Sequence, residues 1–406
     1  MRFLEFENRK TAYCLLVIAL VFIILAVPFK DGRSTYAHHE LGRDLGVERS
    51  IDRGVVIELG PESSLGGFHF GPIYYYLIYP FVKLMDFAPY SLAIASGFFM
   101  LLTIIGTFFV TTELFKNEIL ALFASGLMTV SILTFQLTKY GSNPNLVPFF
   151  SLVLFYSLKK LADNNRSYFF ASALAVSFAV ATQLHAVPLI TMPLVLIAAA
   201  VATDIKNVPF RNILIFLVIN IVIYLPYLRH EIQNGFSNSL ALFSLVGGGL
   251  SWNIYLGHLV QFLEFFFDPF LSLHPFFSSL DFGGVWLRTL SICLLLVVPG
   301  VLYFNLRNRK YLHVGDIVLD ASTKRIFLLW FLIPSIVFFL PLGLRADFRY
   351  YYFFILFPIV YIFLARGIFS LLKAGLHALV IYIFAAFVIL QLCQIYIYID
   401  LVTSLT

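Results

Sequence analysis

The sequence predicts an all-α polytopic membrane protein, a bundle of about eleven transmembrane helices, and three observations carry that expectation. Hydrophobic residues make up 60% of the 406-residue chain and charged ones 12%, and the mean hydropathy is +0.91, outside the range of soluble domains. Apolar runs of roughly 17–25 residues recur along it, the length a helix needs to cross a hydrocarbon core. Those runs are continuous. They lack the alternation of a membrane β-barrel, and an open sheet would leave backbone polar groups unpaired in lipid.

Taken in order, the first span is expected at 10–29, after Arg2, Arg9 and Lys10. No small-residue cleavage pattern follows it, so it reads as a retained anchor and not a removed signal peptide. Further spans are expected at 90–112, 118–138, 144–161, 168–184, 186–203, 210–228, 285–305, 326–343, 349–371 and 376–400. The basic loops KKLADNNR (159–166), DIKNVPFR (204–211) and 305–325, with Arg307, Arg309, Lys310, Lys324 and Arg325, should face the cytoplasm. Alternation then puts the amino terminus inside and places 31–70, 139–143, 229–284 and 344–348 outside. This holds on one condition: GPIYYYLIYPFVKLMDF (71–87), with Pro72, Pro80 and Lys83, must lie in the interface or re-enter without crossing. Residues 1–406 are therefore expected to form one transmembrane domain, with an external loop and interfacial helices at 31–87 and a second large external loop at 229–284. The net charge of +5 falls mainly in the short basic loops, sets orientation and implies no nucleic-acid partner. Cys14, Cys293 and Cys393 all lie inside apolar runs, where a free thiol behaves as a small hydrophobe, so neither a disulfide nor a cysteine metal site is expected.

The chemistry-bearing residues concentrate in the first external loop. Residues 31–70 hold seven acids (Asp31, Glu40, Asp44, Glu48, Asp52, Glu58, Glu62) and four arginines (Arg33, Arg43, Arg49, Arg53). A short helix over 37–53 would put Glu40, Arg43 and Asp44 on one face, by their spacings of three and four. A solvated face with an arginine counter-charge explains that pattern as well as an acid/base centre does. Other clusters return to the same side. GPESSLGGFHFGPIYYY (60–76) is a tightly turning loop with His69 inside it and the Tyr74–Tyr76 run after it, readable as a groove lining or as an interfacial aromatic belt. KYGSNPNLVP (139–148) brings Asn143 and Asn145, either as ligands or as a helix-capping turn. GLRADFRYYYFF (343–354) brings Arg345 and Arg349, either snorkelling or gripping a phosphate. His185, in the turn TQLHAVP, is a functional candidate or a histidine bonded to a helix end. His185 together with His38, His39, His69 and Glu40 has the donor types of a zinc or manganese site, without a diagnostic spacing.

ELGRD (40–44) followed by GPESSLGGFHFGPIYYYL (60–77) resembles the bacterial and archaeal members of the dolichyl-phosphate-mannose-protein mannosyltransferase family, in the GT-C glycosyltransferase superfamily. SNPN (142–145), HAVPL (185–189) and YLPYLRHEIQNGFSN (224–238) fit the same pattern, so the likeness spans roughly the first 240 residues. The resemblance implies a GT-C-type bundle whose first external loop is the active site, in a bacterial or archaeal plasma membrane. It implies a polyprenyl-phosphate-sugar donor and inversion at the anomeric carbon. The first acid of the loop motif is usually Asp in that family and is Glu40 here. Where the family often offers an acid in the second external loop, this chain has Asn143 and Asn145.

Sugar transfer from a polyprenyl phosphate needs a base for the acceptor hydroxyl and cations for the departing phosphate, and no general acid. On this reading Glu40 is the base, with Asp44 or His69 orienting it or binding the sugar. Arg43 holds those carboxylates, Arg345 and Arg349 meet the phosphate, and Tyr74 and Tyr75 line the prenyl or sugar groove. The partners are the donor, membrane lipids and a lipid, glycan or protein acceptor. No cofactor is required, and His39, Glu40 and His69 leave room for a divalent metal. A transporter or flippase of lipid-linked sugars is the alternative. Such proteins carry charges deep within spans and paired halves, whereas here the charges gather in one external loop.

Overall fold

The computed structural model describes residues 9–26, 39–63, 67–139, 141–164, 166–202, 208–244, 320–339 and 354–373. Among them the chain forms helices α1 (Arg9–Ala26), α2 (His39–Asp52), α3 (Ile73–Leu84), α4 (Ser91–Phe115), α5 (Glu118–Val130), α6 (Ile132–Lys139), α7 (Val147–Asp163), α8 (Tyr168–Leu184), α9 (Ala186–Ala202), α10 (Phe210–Gln233), α11 (Ser237–Ser244), α12 (Ala321–Phe339) and α13 (Phe357–Lys373). The helices fall on the predicted spans up to residue 228 and on those at 326–343 and 349–371. The predicted spans 285–305 and 376–400 lie outside the described residues, as does most of the predicted loop 229–284. Helix α1, α4, the stretch 143–163 and α10 are long and apolar enough to cross a membrane.

Local chemistry sets the boundaries. Helix α4, 25 residues and roughly 37 Å long, ends where Lys116 turns into the left-handed region at φ 49°. Asn117 then caps α5, its side-chain oxygen accepting the Leu120 N–H at 2.9 Å. Helix α7 begins from a 3₁₀ turn at Asn143–Leu146, with Pro144 and Pro148 where a missing N–H costs nothing.

Two expected spans differ in detail. The single helix read at 118–138 is broken at Ser131, whose extended backbone separates α5 from α6. Hydroxyls replace the lost helical bonds there: Thr134 donates to the Met128 carbonyl at 2.6 Å, and Tyr361 of α13 donates to Ser131 Oγ at 2.6 Å. The helix read at 210–228 continues as α10 to Gln233, past Pro226 and through Arg229, His230 and Glu231. Helix α11 follows within the stretch read as loop. Helix α3 has 12 residues, roughly 18 Å, against a hydrocarbon core of about 30 Å, so it is too short to span as a straight helix.

Helix α8 is central, packed most extensively on α7 and α10, while α4 lies against α5, α6 and α7. Buried Thr and Ser hydroxyls bond back to their own helices, as Thr103 does to Phe99 and Thr107 to Thr103, so these spans pack closely with no orphaned donor at those positions. Helices α12 and α13 join through Trp330, whose ring meets Phe155 of α7 and whose N–H donates to the Ile355 carbonyl at 3.2 Å. One end of the bundle is ionic: Glu113 at the foot of α4 pairs with Lys116 and Lys160, and Lys159 pairs with Asp163 and Asp320. The other end gathers α2, the 55–72 loop, the 141–146 turn, the α8–α9 turn and the α10–α11 connection.

Candidate active site

Helix α2 carries the ELGRD motif and lies on α3. Glu40 stands in its first turn and Asp44 one turn further on. Asp44 is 3% exposed, and its Oδ1 accepts from Arg43 Nε at 2.8 Å and from the Tyr75 hydroxyl at 3.0 Å. Two turns on, Asp52 accepts from Tyr79 at 2.8 Å and Lys83 at 2.7 Å. Acids at 44 and 52 thus face hydroxyls at 75 and 79, and α2 runs alongside α3 in a fixed register. Between those rungs sits Glu48, fully buried, with neither carboxyl oxygen hydrogen-bonded. Burial, aided by the negative charge of Asp44, pushes its pKa up to about 8, so Glu48 is a neutral acid at neutral pH.

The glycine-rich loop folds back on itself. Gly60 N–H donates to Phe70 O at 2.8 Å, Phe70 N–H to Pro61 O at 3.0 Å and Ser63 N–H to Phe68 O at 2.9 Å, pairing Glu62 with His69. A Cβ on Gly60 would lie 2.1 Å from the Gly71 carbonyl oxygen, and one on Gly71 would lie 2.0 Å from Gln183 Oε1. Only glycine allows that approach. His69 Nδ1 lies 3.1 Å from the Gly60 carbonyl, which can only accept, so Nδ1 is the donor of that bond.

The tyrosine run after this loop is tied down through its hydroxyls. Tyr74 donates to the Gly141 carbonyl at 3.0 Å, Tyr75 donates to Asp44, and Tyr76 donates to the Ile57 carbonyl at 3.0 Å. Each hydroxyl ties α3 to a different segment, and Tyr74 and Tyr75 are buried. From the SNPN turn, Asn143 donates to the Leu184 carbonyl at the end of α8. Asn145 is buried, and its N–H donates to Ser142 O at 3.1 Å. His185 caps α9, its Nδ1 accepting the Val187 N–H at 3.2 Å, and stacks on Phe70 at 5.9 Å. Burial pushes its pKa down to about 3, so the ring is neutral.

Several residues of this end were not singled out from sequence. Asn238 holds the His69 backbone on both sides: Oδ1 accepts its N–H at 2.6 Å, and Nδ2 donates to its carbonyl at 2.9 Å and lies 2.7 Å from the Tyr227 oxygen. Glu231 is buried, and its Oε2 accepts the Ser239 N–H at 2.9 Å. Gly235 and Phe236 take positive φ of 62° and 60° and turn the chain from α10 into α11. The spacing E-x-x-x-G-F-x-N (231–238) is thus a connector that reaches back to the HFGP loop. Glu58 pairs with Arg229 at 3.1 Å and His230 at 3.6 Å, a second tie between that loop and α10. The repeated acid at i+4 from Asp44 was the available signal for Glu48, and the quoted motif itself was the signal for Asn238.

Arg345, Arg349 and His38 lie outside the described residues. Among the described residues no three His, Cys, Asp or Glu side chains come together as a metal-binding group.

The coordinates match a crystal structure of ArnT from Cupriavidus metallidurans bound to undecaprenyl phosphate, with TM-score 0.58 and 12% identity over 88% of this chain and 60% of that one. The chain has the GT-C fold. That fold recurs in the match to the Archaeoglobus fulgidus oligosaccharyltransferase in complex with Zn and sulfate, with TM-score 0.53 and 14% identity over 94% of this chain and 53% of that one. It recurs again in AglB from the same organism, in complex with an inhibitory peptide and a dolichol-phosphate, with TM-score 0.51 and 16% identity over 97% and 55%. This GT-C chain spans 53–60% of the length of these proteins. Residues 69–230 match the sequence model of the dolichyl-phosphate-mannose-protein mannosyltransferase family, the stretch from the HFGP loop to the end of α10. No curated protein matches the chain by sequence.

Proposed function

We propose that this GT-C protein is a membrane glycosyltransferase that moves a sugar from a polyprenyl-phosphate donor to a hydroxyl acceptor on the external face, with inversion. One observation carries the reading. The segments ELGRD, HFGP-x-YYY, SNPN, LHA and E-x-x-x-G-F-x-N, scattered over 200 residues of sequence, are joined at one end of the fold by the bonds of Asp44, Tyr74, Tyr75, Asn143 and Asn238 and by the stacking of His185 on Phe70. Neighbours of the same fold were crystallised with undecaprenyl phosphate and with a dolichol-phosphate, which supports a prenyl-phosphate donor.

In the mechanism Glu40 takes the acceptor hydroxyl proton as the acceptor oxygen bonds to the anomeric carbon. The bond from that carbon to phosphate breaks on the opposite face, and the prenyl phosphate departs with the electron pair. A phosphate leaves without protonation, so one base and cationic partners suffice. Asp44, fixed by Arg43 and Tyr75, keeps α2 in register and a negative charge beside the developing oxocarbenium. His69 offers its Nε2 to a sugar hydroxyl. Arg345 and Arg349 are assigned to the phosphate by bidentate contacts.

Glu40→Gln is expected to lower the transfer rate by roughly 10²–10⁴-fold, the span of general-base effects. Binding of a photoreactive prenyl phosphate should stay unchanged. Lipid-linked sugar translocation in vesicles at an undiminished rate, with no transfer by the unaltered protein to any hydroxyl acceptor, would sink the enzyme reading in favour of a flippase.

A further inference from the structure

Glu48 is a buried acid that the transfer mechanism does not use. It is 0% exposed, both of its oxygens lack a hydrogen-bond partner, and it lies on the face of α2 pressed against α3. Among the described residues, the titratable and charged groups around it are Asp44 on its own helix, with the Arg43 and Tyr75 bonded to that carboxylate, and Tyr74 on α3. Arg43 Nε is directed to Asp44, and Lys83, the cation of α3, is bonded to Asp52 one turn beyond. An ionised carboxylate there would be a buried charge beside Asp44, which has the same sign, an arrangement that is costly without a paired cation. A leucine would fill the same space at no electrostatic cost, so the carboxyl is a costly choice unless its proton has a use.

We propose that Glu48 is a positioning residue held as the neutral acid, and that its proton is what seats α2, the helix carrying Glu40 and Asp44, on α3. With the proton in place, Asp44 is the single negative charge of the pair and Tyr75 and Arg43 satisfy it. Loss of the proton puts a second anion one turn away in the same buried seam. Like charges then push α2 off α3, and the Asp44–Tyr75 bond that sets its register opens. The sign follows from linkage. The folded group holds its proton up to about pH 8 and the unfolded group only to about 4.5, so the seated helix loses stability as pH rises across that window. The seating stands on geometry; its effect on turnover rests on the transferase reading above.

The test compares the detergent-solubilised full chain with Glu48→Gln, which keeps shape and polarity and cannot ionise, and with Glu48→Leu in case the amide folds poorly. Infrared difference titration should show the carbonyl band of a protonated carboxyl that disappears as pH passes about 8 and is absent from both variants. Exchange of α2 amides, corrected for its intrinsic pH dependence, should rise at least tenfold between about pH 5 and 8 in the unaltered protein, level off above that, and stay level throughout in Glu48→Gln. Turnover should fall on the alkaline side with KM little changed, and the substitution should remove that fall. A band that titrates in the ordinary carboxylate range, or equal alkaline exchange of α2 in all three proteins, would overturn the proposal. The infrared and exchange arms need no substrate, so they decide on Glu48 even where no transfer activity is found.

Discussion

At the scale of single residues, two glycines of the candidate site behave oppositely because their surroundings differ. A Cβ on Gly60 meets the backbone carbonyl of Gly71 at 2.1 Å, and backbone within a paired loop cannot swing aside. Gly60→Ala is expected to destabilise the folded chain by roughly 1–3 kcal/mol, the cost of overpacking, seen as a lower melting temperature in detergent. Gly46, exposed in the interior of α2, has nothing within 4 Å of the added carbon. Gly46→Ala should raise stability by about 0.5–1 kcal/mol, because alanine loses less backbone freedom in a helix. Tyr75→Phe removes a hydrogen bond to buried Asp44, at an expected cost of roughly 1–3 kcal/mol. The sequence displays all of these residues but not their costs. Gly60, Gly46 and Gly42 look alike until the atoms packed against each are known.

At the scale of elements, the ties that hold the HFGP loop come from the far side of the family match. Asn238 bonds both backbone groups of His69 and the oxygen of Tyr227, so α11, α10 and the loop move as one unit. Asn238→Ala should speed exchange of the His69 amide by tenfold to a hundredfold, corresponding to roughly 1–3 kcal/mol of lost local protection. The Glu58–Arg229 pair is half in water, with Arg229 62% exposed, and Arg229→Ala should cost no more than about 1 kcal/mol. A slower or unchanged amide in Asn238→Ala, read by mass spectrometry, would show that the loop is held without α11. The motif singles out Asn238 but not its partner: 169 residues separate it from His69, and motif spacing speaks only of neighbours.

At the scale of the whole molecule, ionic and hydrogen-bonded ends lie on opposite termini of the helices. Lys116, Lys159 and Lys160 gather with Glu113, Asp163 and Asp320 at one end, and the candidate site lies at the other. From the excess of lysine and arginine in short loops we propose that the ionic end faces the cytoplasm. In intact cells expressing a chain without its own cysteines, Arg53→Cys should react with a membrane-impermeant maleimide. Arg166→Cys should react only after permeabilisation. The reverse pattern would turn the protein over and place the site inside.

Hydrophobicity by itself determined the class and most of the helices, because the cost of leaving backbone groups unpaired in lipid leaves a long apolar run few alternatives. It also singled out ELGRD and HFGP as the candidate site, since clustered charges and tight turns stand out among so many apolar residues. Only the tertiary structure decided that Ser131 breaks a span, that α10 runs past Pro226 to Gln233, and that Tyr74 and Tyr75 are buried struts. It alone set Glu48 apart from the other six acids of its loop. The reason is physical: periodicity records which residues meet lipid or a neighbouring helix, while a proton's affinity and a glycine's necessity depend on atoms brought from elsewhere in the chain.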